Sequence, residues 1–306
     1  MFVRSLLACL LFIGAVMTAN AAPRGSASEP LRVMLIPAGG GTASGTLADF
    51  QPLFDAVSRA TGLQFRLRVG ESYAAVVEGM KSKLVDIAWL GPVAYVQAHD
   101  AGAAEMLGVA VLNGESMYYS GLFVRRDAPL HTLADLKGRR VALGDVNSGS
   151  SFTYPLDLLL RAGIDPARDL REIRLTGSHS ASLAALAQGD VDAAGLSFES
   201  FSKAANSGTI DPKNFRVLGR SDPIPNPPLA LSTALPSDLK SRLREAFAGI
   251  HNAPGIAPEM IRGYGGGKVD RYDTQVPEAT FASVGATFAR VNDDIREAVL
   301  RKAAQR

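Results

Sequence analysis

The segment RRVALGDVNSGSSFTYPLDLLLRAG, residues 139–163, decides the fold. Its apolar run VALG reads as a buried strand ended by Gly144. Its run LDLLLRAG has leucines at helical spacing and a glycine stop at Gly163, so it reads as a helix. Between them lies a polar turn with Asn147, Ser148, Gly149, Ser150 and Ser151. A strand that feeds a helix through a polar, glycine-containing turn is the unit from which α/β sheets are built.

The same alternation runs outward in both directions. Towards the N-terminus, LRVMLIPA (31–38) is strand-like, LADFQPLFDAVSRATG (47–62) helical and LQFRLRVG (63–70) strand-like. YAAVVEGMKSKLVD, IAWLG, PVAYVQAHDAG and AEMLGVAVL then give helix, strand, helix and strand. A second alternation covers about 119–216: YYSGLFVRRDAPL, a short helix TLADLKG capped by Thr132, the opening segment, then LREIRLTG, SASLAALAQG and VDAAGLS. The proline-rich SDPIPNPPLALS (221–232) leaves this block, and amphipathic helical patterns follow to the C-terminus. This order predicts two α/β lobes with mainly parallel sheets. Residues 22–116 begin lobe 1, 117–222 form lobe 2, and 223–306 complete lobe 1 with the C-terminal helices. Crossings near 114–121 and 221–231 form a hinge, and a ligand cleft lies between the lobes, beyond the carboxyl ends of the strands.

The first 21 residues are read apart from the fold. Arg4 supplies a positive start, residues 5–17 a short apolar core, and Ala19-Asn20-Ala21 a small-x-small site, the pattern of a secretory signal peptide cleaved after Ala21. The alternative is an N-terminal membrane anchor. The single cysteine, Cys9, lies in this segment, so the mature chain has no disulfide, thiolate nucleophile or thiolate metal site. With 32 basic against 30 acidic residues, the charge balance offers no field for nucleic acid or an anionic membrane. An exported, cysteine-free chain points to a bacterial periplasm.

The turn at Ser148-Gly149-Ser150-Ser151 has a definite chemistry. Free backbone N–H groups and the helix dipole favour an anion at a helix N-terminus. The serine hydroxyls add neutral donors, and Gly149 permits close approach. The lysine of a nucleotide P-loop is missing. By itself the turn serves equally as an anion cradle or as a capped helix start.

The segments DIAWLGPVAYVQA, DLKGRRVALGDVNSGSS, LTGSHSASLAALAQGDVDAA, IPNPPLALSTALP and GYGGGKVDRYD occur in this order. Together they resemble the phosphate/phosphite/phosphonate-binding proteins of ABC importers, a branch of the type II periplasmic binding proteins, over about residues 31–272. The resemblance implies that fold and a phosphorus oxyanion held by Ser148, Gly149, Ser150, Ser151 and His179, with Tyr73 and Tyr95 as aromatic partners. Gly149 and Ser151 depart from the family's Ser-Thr-Ser-Gly pattern. Relatives that take aminoalkylphosphonates place an acid after the motif histidine. Here that position is Ser180, and Glu199 is the nearest acidic candidate, in the following loop. The expected ligand is therefore phosphite, phosphate or a small alkylphosphonate. The expected partners are an ABC permease with its cytoplasmic ATPase, and the protein is expected to be a monomer.

Bland roles compete for these residues. Tyr95 on a helix face suits packing, Tyr73 a helix start at the surface, and His179 a helix cap. Trp89 suits core or cleft wall. A sensory binding protein for a membrane receptor is one alternative class. An enzyme is another, but no nucleophile elbow, His-Glu-x-x-His or paired-cysteine motif is present, and Asp190 with Asp192 is a carboxylate pair two residues apart at a turn and strand start. No catalytic residue, metal ligand or cofactor is expected.

Overall fold

The structure, a computed structural model, describes residues 22–38 and 42–305. The signal-peptide reading and Cys9 lie outside the described residues.

Lobe 1 starts with β1 (Leu31–Leu35), α1 (Ala43–Thr61), β2 (Phe65–Val69), α2 (Tyr73–Lys81), β3 (Ile87–Trp89), α3 (Pro92–Asp100) and β4 (Ala104–Val111). The chain crosses over through β5 (Met117–Tyr118). Lobe 2 follows with β6 (Ser120–Arg125), β7 (Arg140–Leu143), α4 (Tyr154–Arg161), α5 (Pro166–Asp169), β8 (Glu172–Leu175), α6 (His179–Ala187), β9 (Ala193–Ser197), α7 (Phe198–Asn206) and β10 (Phe215–Arg220). The return crossing is β11 (Ile224–Pro225). Then come β12 (Leu229–Ser232), α8 (Ser237–Gly249), β13 (Arg271–Asp273), α9 (Ala282–Arg290) and α10 (Asp293–Ala303).

Lobe 1 holds a six-stranded sheet in the order β13-β4-β12-β3-β1-β2, and lobe 2 a five-stranded sheet in the order β10-β6-β9-β7-β8. The two crossings pair with each other as a small antiparallel ribbon, Ile224 opposite Tyr118 and Pro225 opposite Met117. The expected hinge is thus one connected element. The sheets are mixed rather than mainly parallel. β1 runs parallel to β2 and β3, while the returning β12 lies antiparallel between β3 and β4. In lobe 2, β7 runs parallel to β8 and β9, and β6 lies antiparallel against β9. A strand that arrives from the hinge enters its sheet opposite in sense to strands built by helical crossovers.

The lobes share one fastening. Arg32, opening β1, donates its N–H and guanidinium to Asp86 just before β3, and reaches the carbonyl of Lys83. Arg140, opening β7, does the same to Asp192 before β9 and to the carbonyl of Gly189. Asp190, the other acid of the carboxylate pair, turns instead to Arg174. The pair is split between two arginines and offers no acid–base couple.

The C-terminal helices do not all complete lobe 1. Helical patterning breaks at Val291-Asn292, where Asn292 caps α10 by accepting from the Ile295 N–H. Val291 and Val299 are buried in the lobe 2 core beside Ile173 and Ile164. Arg296 donates to the Val146 carbonyl and lies over Phe152. The last helix therefore straps lobe 2, because its apolar face finds the uncovered side of that sheet. The TLADLKG segment forms a 3-10 turn, with Thr132 and Asp135 in a reciprocal capping box.

Candidate functional site

The turn after β7 closes back on its own strand. The Gly144 N–H donates to the Ser151 carbonyl at 2.9 Å. A Cβ on Gly144 would stand 2.2 Å from Ser151 Oγ, so glycine is required for this approach. Ser148 caps the helix, its Oγ accepting from the Ser151 N–H at 3.2 Å. Gly149–Thr153 is a π-helical turn that runs on into α4. The first N–H groups of a helix lack intrahelical acceptors, so Gly149 and Ser150 present theirs at the turn's outer wall. Ser120 Oγ anchors the turn from the hinge side, donating to the Ser150 carbonyl at 2.7 Å.

That wall faces a narrow cleft lined by both lobes. Lobe 1 contributes Ile36, Ala38, Tyr73, Trp89, Gly91 and Tyr264; the crossings contribute Tyr118 and Pro227; lobe 2 contributes Ser148, Gly149, Ser150 and His179. None of these side chains carries a fixed charge. Tyr73 faces Ser148, while Tyr118 and Tyr264 face Ser150. Burial pushes all three phenols above their ordinary value, which keeps them protonated and able to donate.

His179 is the first residue of α6 and is buried. Its Nδ1 accepts the Ser197 N–H at 3.2 Å, which places the ring proton on Nε2. Nε2 lies 3.3 Å from the Tyr264 hydroxyl. Burial lowers the His179 pKa to about 4, so the ring is a neutral donor at pH 7. Ser178, not His179, caps this helix, its Oγ accepting from the Ala181 N–H.

The structure brings together Tyr73, Ser148, Gly149, Ser150 and His179 of the expected residues. Tyr73 is buried at the start of α2 rather than turned to solvent, because Ser72 caps that helix and the Tyr73 N–H reaches across to Asp145 Oδ2 at 3.4 Å. Two expectations do not fit the geometry. Tyr95 does not line the cavity. Pro92 sets the phase of α3 so that Tyr95 packs on Phe281 and His99, with ring centroids 5.0 and 5.8 Å apart, while Gly91 and Val93 face the cleft. Ser151 is absent from the lining because its side chain is turned back against Gly144. Trp89 is both core and cleft wall, 4.4 Å from Phe50 and 5.6 Å from Tyr264 by ring centroid.

Tyr118, Pro227 and Tyr264 also line the cleft, and sequence patterning alone does not single them out. Their signals were a tyrosine pair at a crossing, a PNPP run and a tyrosine set among glycines. Glu199 stands in the first turn of α7, not in a loop, and does not line the cavity. Burial raises its pKa to about 7. On the same helix Lys203 grips Asp49 of α1, with Nζ at 2.8 and 2.6 Å from the two carboxylate oxygens, an ion pair that joins the lobes beside the cavity. Among the described residues no group of His, Cys, Asp and Glu could hold a metal, and no helix is long and apolar enough to cross a membrane.

Two α/β lobes, a two-strand hinge and a cleft between them make this the type II periplasmic binding protein fold. The family model described as "ABC transporter, phosphonate, periplasmic substrate-binding protein" matches residues 42–267. The chain belongs to this family. It is 28% identical over 255 residues to the phosphate-import protein PhnD of Mycolicibacterium smegmatis, covering 79% of each chain. A binding protein component of an ABC phosphonate transporter from Pseudomonas aeruginosa superposes with a TM-score of 0.74 at 21% identity, over 90% of this chain and 96% of that one. PhnD1 of Prochlorococcus marinus, solved with methylphosphonate, superposes with a TM-score of 0.72 at 17% identity, over 86% and 98%. The family's substrate-binding proteins are periplasmic and serve ABC transporters.

Proposed function

We propose that this protein captures a small phosphorus oxyanion, namely phosphite, phosphate or a short alkylphosphonate, and delivers it to an ABC permease driven by a cytoplasmic ATPase. Export rests on the signal peptide read at residues 1–21, and the working form is a monomer. The observation that carries the ligand class is the interlobe cleft, walled by N–H and O–H donors at a helix start. Ser148, Gly149 and Ser150 surround the oxyanion from lobe 2, the Tyr73 and Tyr118 hydroxyls complete the shell, and His179 lines the cleft beside them with its Nε2–H on the Tyr264 hydroxyl. An anion among such donors gains charge-assisted hydrogen bonds that compensate its lost hydration. Because no donor is a fixed cation, the ligand can leave again at the permease. With no carboxylate among the lining residues, an aminoalkyl ammonium would be buried unpaired, which favours the small ligands.

Ligand binding stabilises the closed form by the difference in affinity between closed and open states. Calorimetry of the purified protein with phosphite, phosphate, methylphosphonate and aminoethylphosphonate tests this. Micromolar or tighter binding of one of the first three is expected; no binding below millimolar by any of them removes the reading.

A further inference from the structure

Tyr264 enters the cavity from a loop that is fixed on both sides. Gly265 and Gly266 hold φ of 77° and 75°, the left-handed region open to glycine. A Cβ on Gly266 would lie 2.1 Å from Asp49 Oδ1, so this glycine lets the loop sit directly on the carboxylate that Lys203 grips. A Cβ on Gly263 would meet Val269 at 2.7 Å, so the loop is packed equally closely at its start. Between these contacts the Tyr264 ring has one course, across the cleft. It lies 5.6 Å from the Trp89 ring, edge-on to Tyr118 at 5.6 Å, and 6.3 Å from the His179 ring.

Its hydroxyl then docks on the opposite lobe. Tyr264 Oη lies 2.8 Å from Ser197 Oγ, 3.0 Å from Ser200 Oγ and 3.3 Å from His179 Nε2. Since Nε2 carries the ring proton, the hydroxyl accepts from His179 and has its own proton for one of the serines. Ser197 also supplies the N–H that fixes the His179 tautomer. One side chain of lobe 1 is therefore joined to the residue that orients the lobe 2 imidazole.

We propose that Tyr264 is a specificity-determining residue with two separable parts: the ring ends the cavity and limits the length of the ligand's substituent on phosphorus, and the hydroxyl locks the closed form through Ser197, Ser200 and His179. The first part rests on the phosphorus-oxyanion reading; the second concerns closure alone. A ligand whose phosphorus sits at the Ser148–Ser150 wall meets the Tyr264, Trp89 and Tyr118 rings with its fourth substituent. Hydrogen, hydroxyl or methyl fits against that aromatic wall, and a longer chain displaces Tyr264 and with it the lock.

The test has a ligand arm and a ligand-free arm. In calorimetry the native protein should lose affinity by at least about a hundredfold from methylphosphonate to n-propylphosphonate, and Tyr264→Ala should reduce that ratio to less than about tenfold. Tyr264→Phe should weaken every ligand by about tenfold and leave their order unchanged. In the second arm, a spin-label pair across the cleft reports interlobe distance without ligand, and Tyr264→Phe should shift the population towards the longer distance. Thermal melts of both variants establish that they fold. Equal binding of methyl- and n-propylphosphonate by the native protein, or an unchanged ratio in Tyr264→Ala, overturns the gate. Unchanged distances in Tyr264→Phe overturn the lock. If the native protein binds no phosphorus oxyanion at all, the ligand reading and the gate built on it fail together, while the distance arm still decides the lock.

Discussion

Lobes 1 and 2 are built on one plan and carry opposite chemistry. Each has three parallel strands linked by helices, an antiparallel strand from the hinge, and an Arg–Asp fastening at the same place, Arg32–Asp86 and Arg140–Asp192. At the cavity, lobe 2 presents a backbone turn, two hydroxyls and an imidazole, whereas lobe 1 presents mainly aromatic rings, two of them carrying phenol hydroxyls, with an isoleucine, an alanine and a glycine. The shared plan explains why both lobes bring strand ends and helix starts to the cleft. The difference shows that one lobe can hold a preformed donor set while the other acts as its cover. Local packing fixes the donors: Gly144 against Ser151, Ser120 on the Ser150 carbonyl, Ser197 on His179.

The division of labour is most exposed to the serines. Replacing Ser148 and Ser150 together by alanine should weaken oxyanion binding by more than about a hundredfold, since each hydrogen bond to a charged group contributes about 1.5–3 kcal/mol. Trp89→Phe, on the covering side, should cost less than about tenfold by the same calorimetry. Equal losses would mean that the donors are not concentrated in lobe 2. Next in size is Gly144→Ala, which forces the Ser151 side chain and the turn apart. It should lower both affinity and melting temperature, and a variant with native affinity would show that the turn tolerates displacement.

The charged clasp sharpens the comparison, because it joins the lobes without touching the cavity. Lys203→Met leaves Asp49 without its partner and should weaken all ligands several-fold by favouring the open form. The ligand order should not change; a changed order would place Asp49 or Lys203 at the ligand. A smaller effect concerns pH. With its pKa lowered from 6.5 to about 4, native His179 refuses a proton that the unfolded chain takes, so its contribution to stability is lost as pH falls through 6.5 towards 4. Glu199, raised from 4.5 to about 7, holds a proton in the native state that the unfolded chain releases, so its contribution is lost as pH rises from 4.5 towards 7. The two oppose each other between those limits. Melting curves at pH 5 and 7 should show a steeper acid loss in Glu199→Gln than in the native protein, and an unaltered profile would contradict the burial of Glu199. The smallest effect is expected for Tyr95→Phe, which removes a buried hydroxyl without a protein partner on the far side of α3. Affinity should not change; a large loss by calorimetry would return Tyr95 to the site.

Most of the architecture was legible because its signals are short-range. Strand and helix periods, Pro92 at a helix start, and the Asn147–Ser151 turn lie within a few residues of what they specify. The donors Ser148, Gly149 and Ser150 could be read for the same reason. Tyr95 could not be placed, because its role depends on the phase of α3 relative to α9. Ser151 failed on a contact with Gly144, seven positions away and across a turn. Tyr118 in YYSGLFV and Tyr264 in GYGGG carry no such local signal, because nothing nearby in sequence distinguishes a tyrosine that crosses a cleft from one that packs in a core.

By itself the sequence determined two α/β lobes, their two crossings and a helix start rich in neutral donors, since each follows from residue spacing along one strand, turn or helix. Tertiary structure decided which aromatics wall the cavity, that α10 straps lobe 2, and that Lys203 meets Asp49 across 154 positions. Those outcomes depend on how the lobes sit about the β5–β11 ribbon and on which side-chain faces come together there, and contacts between distant segments set that geometry.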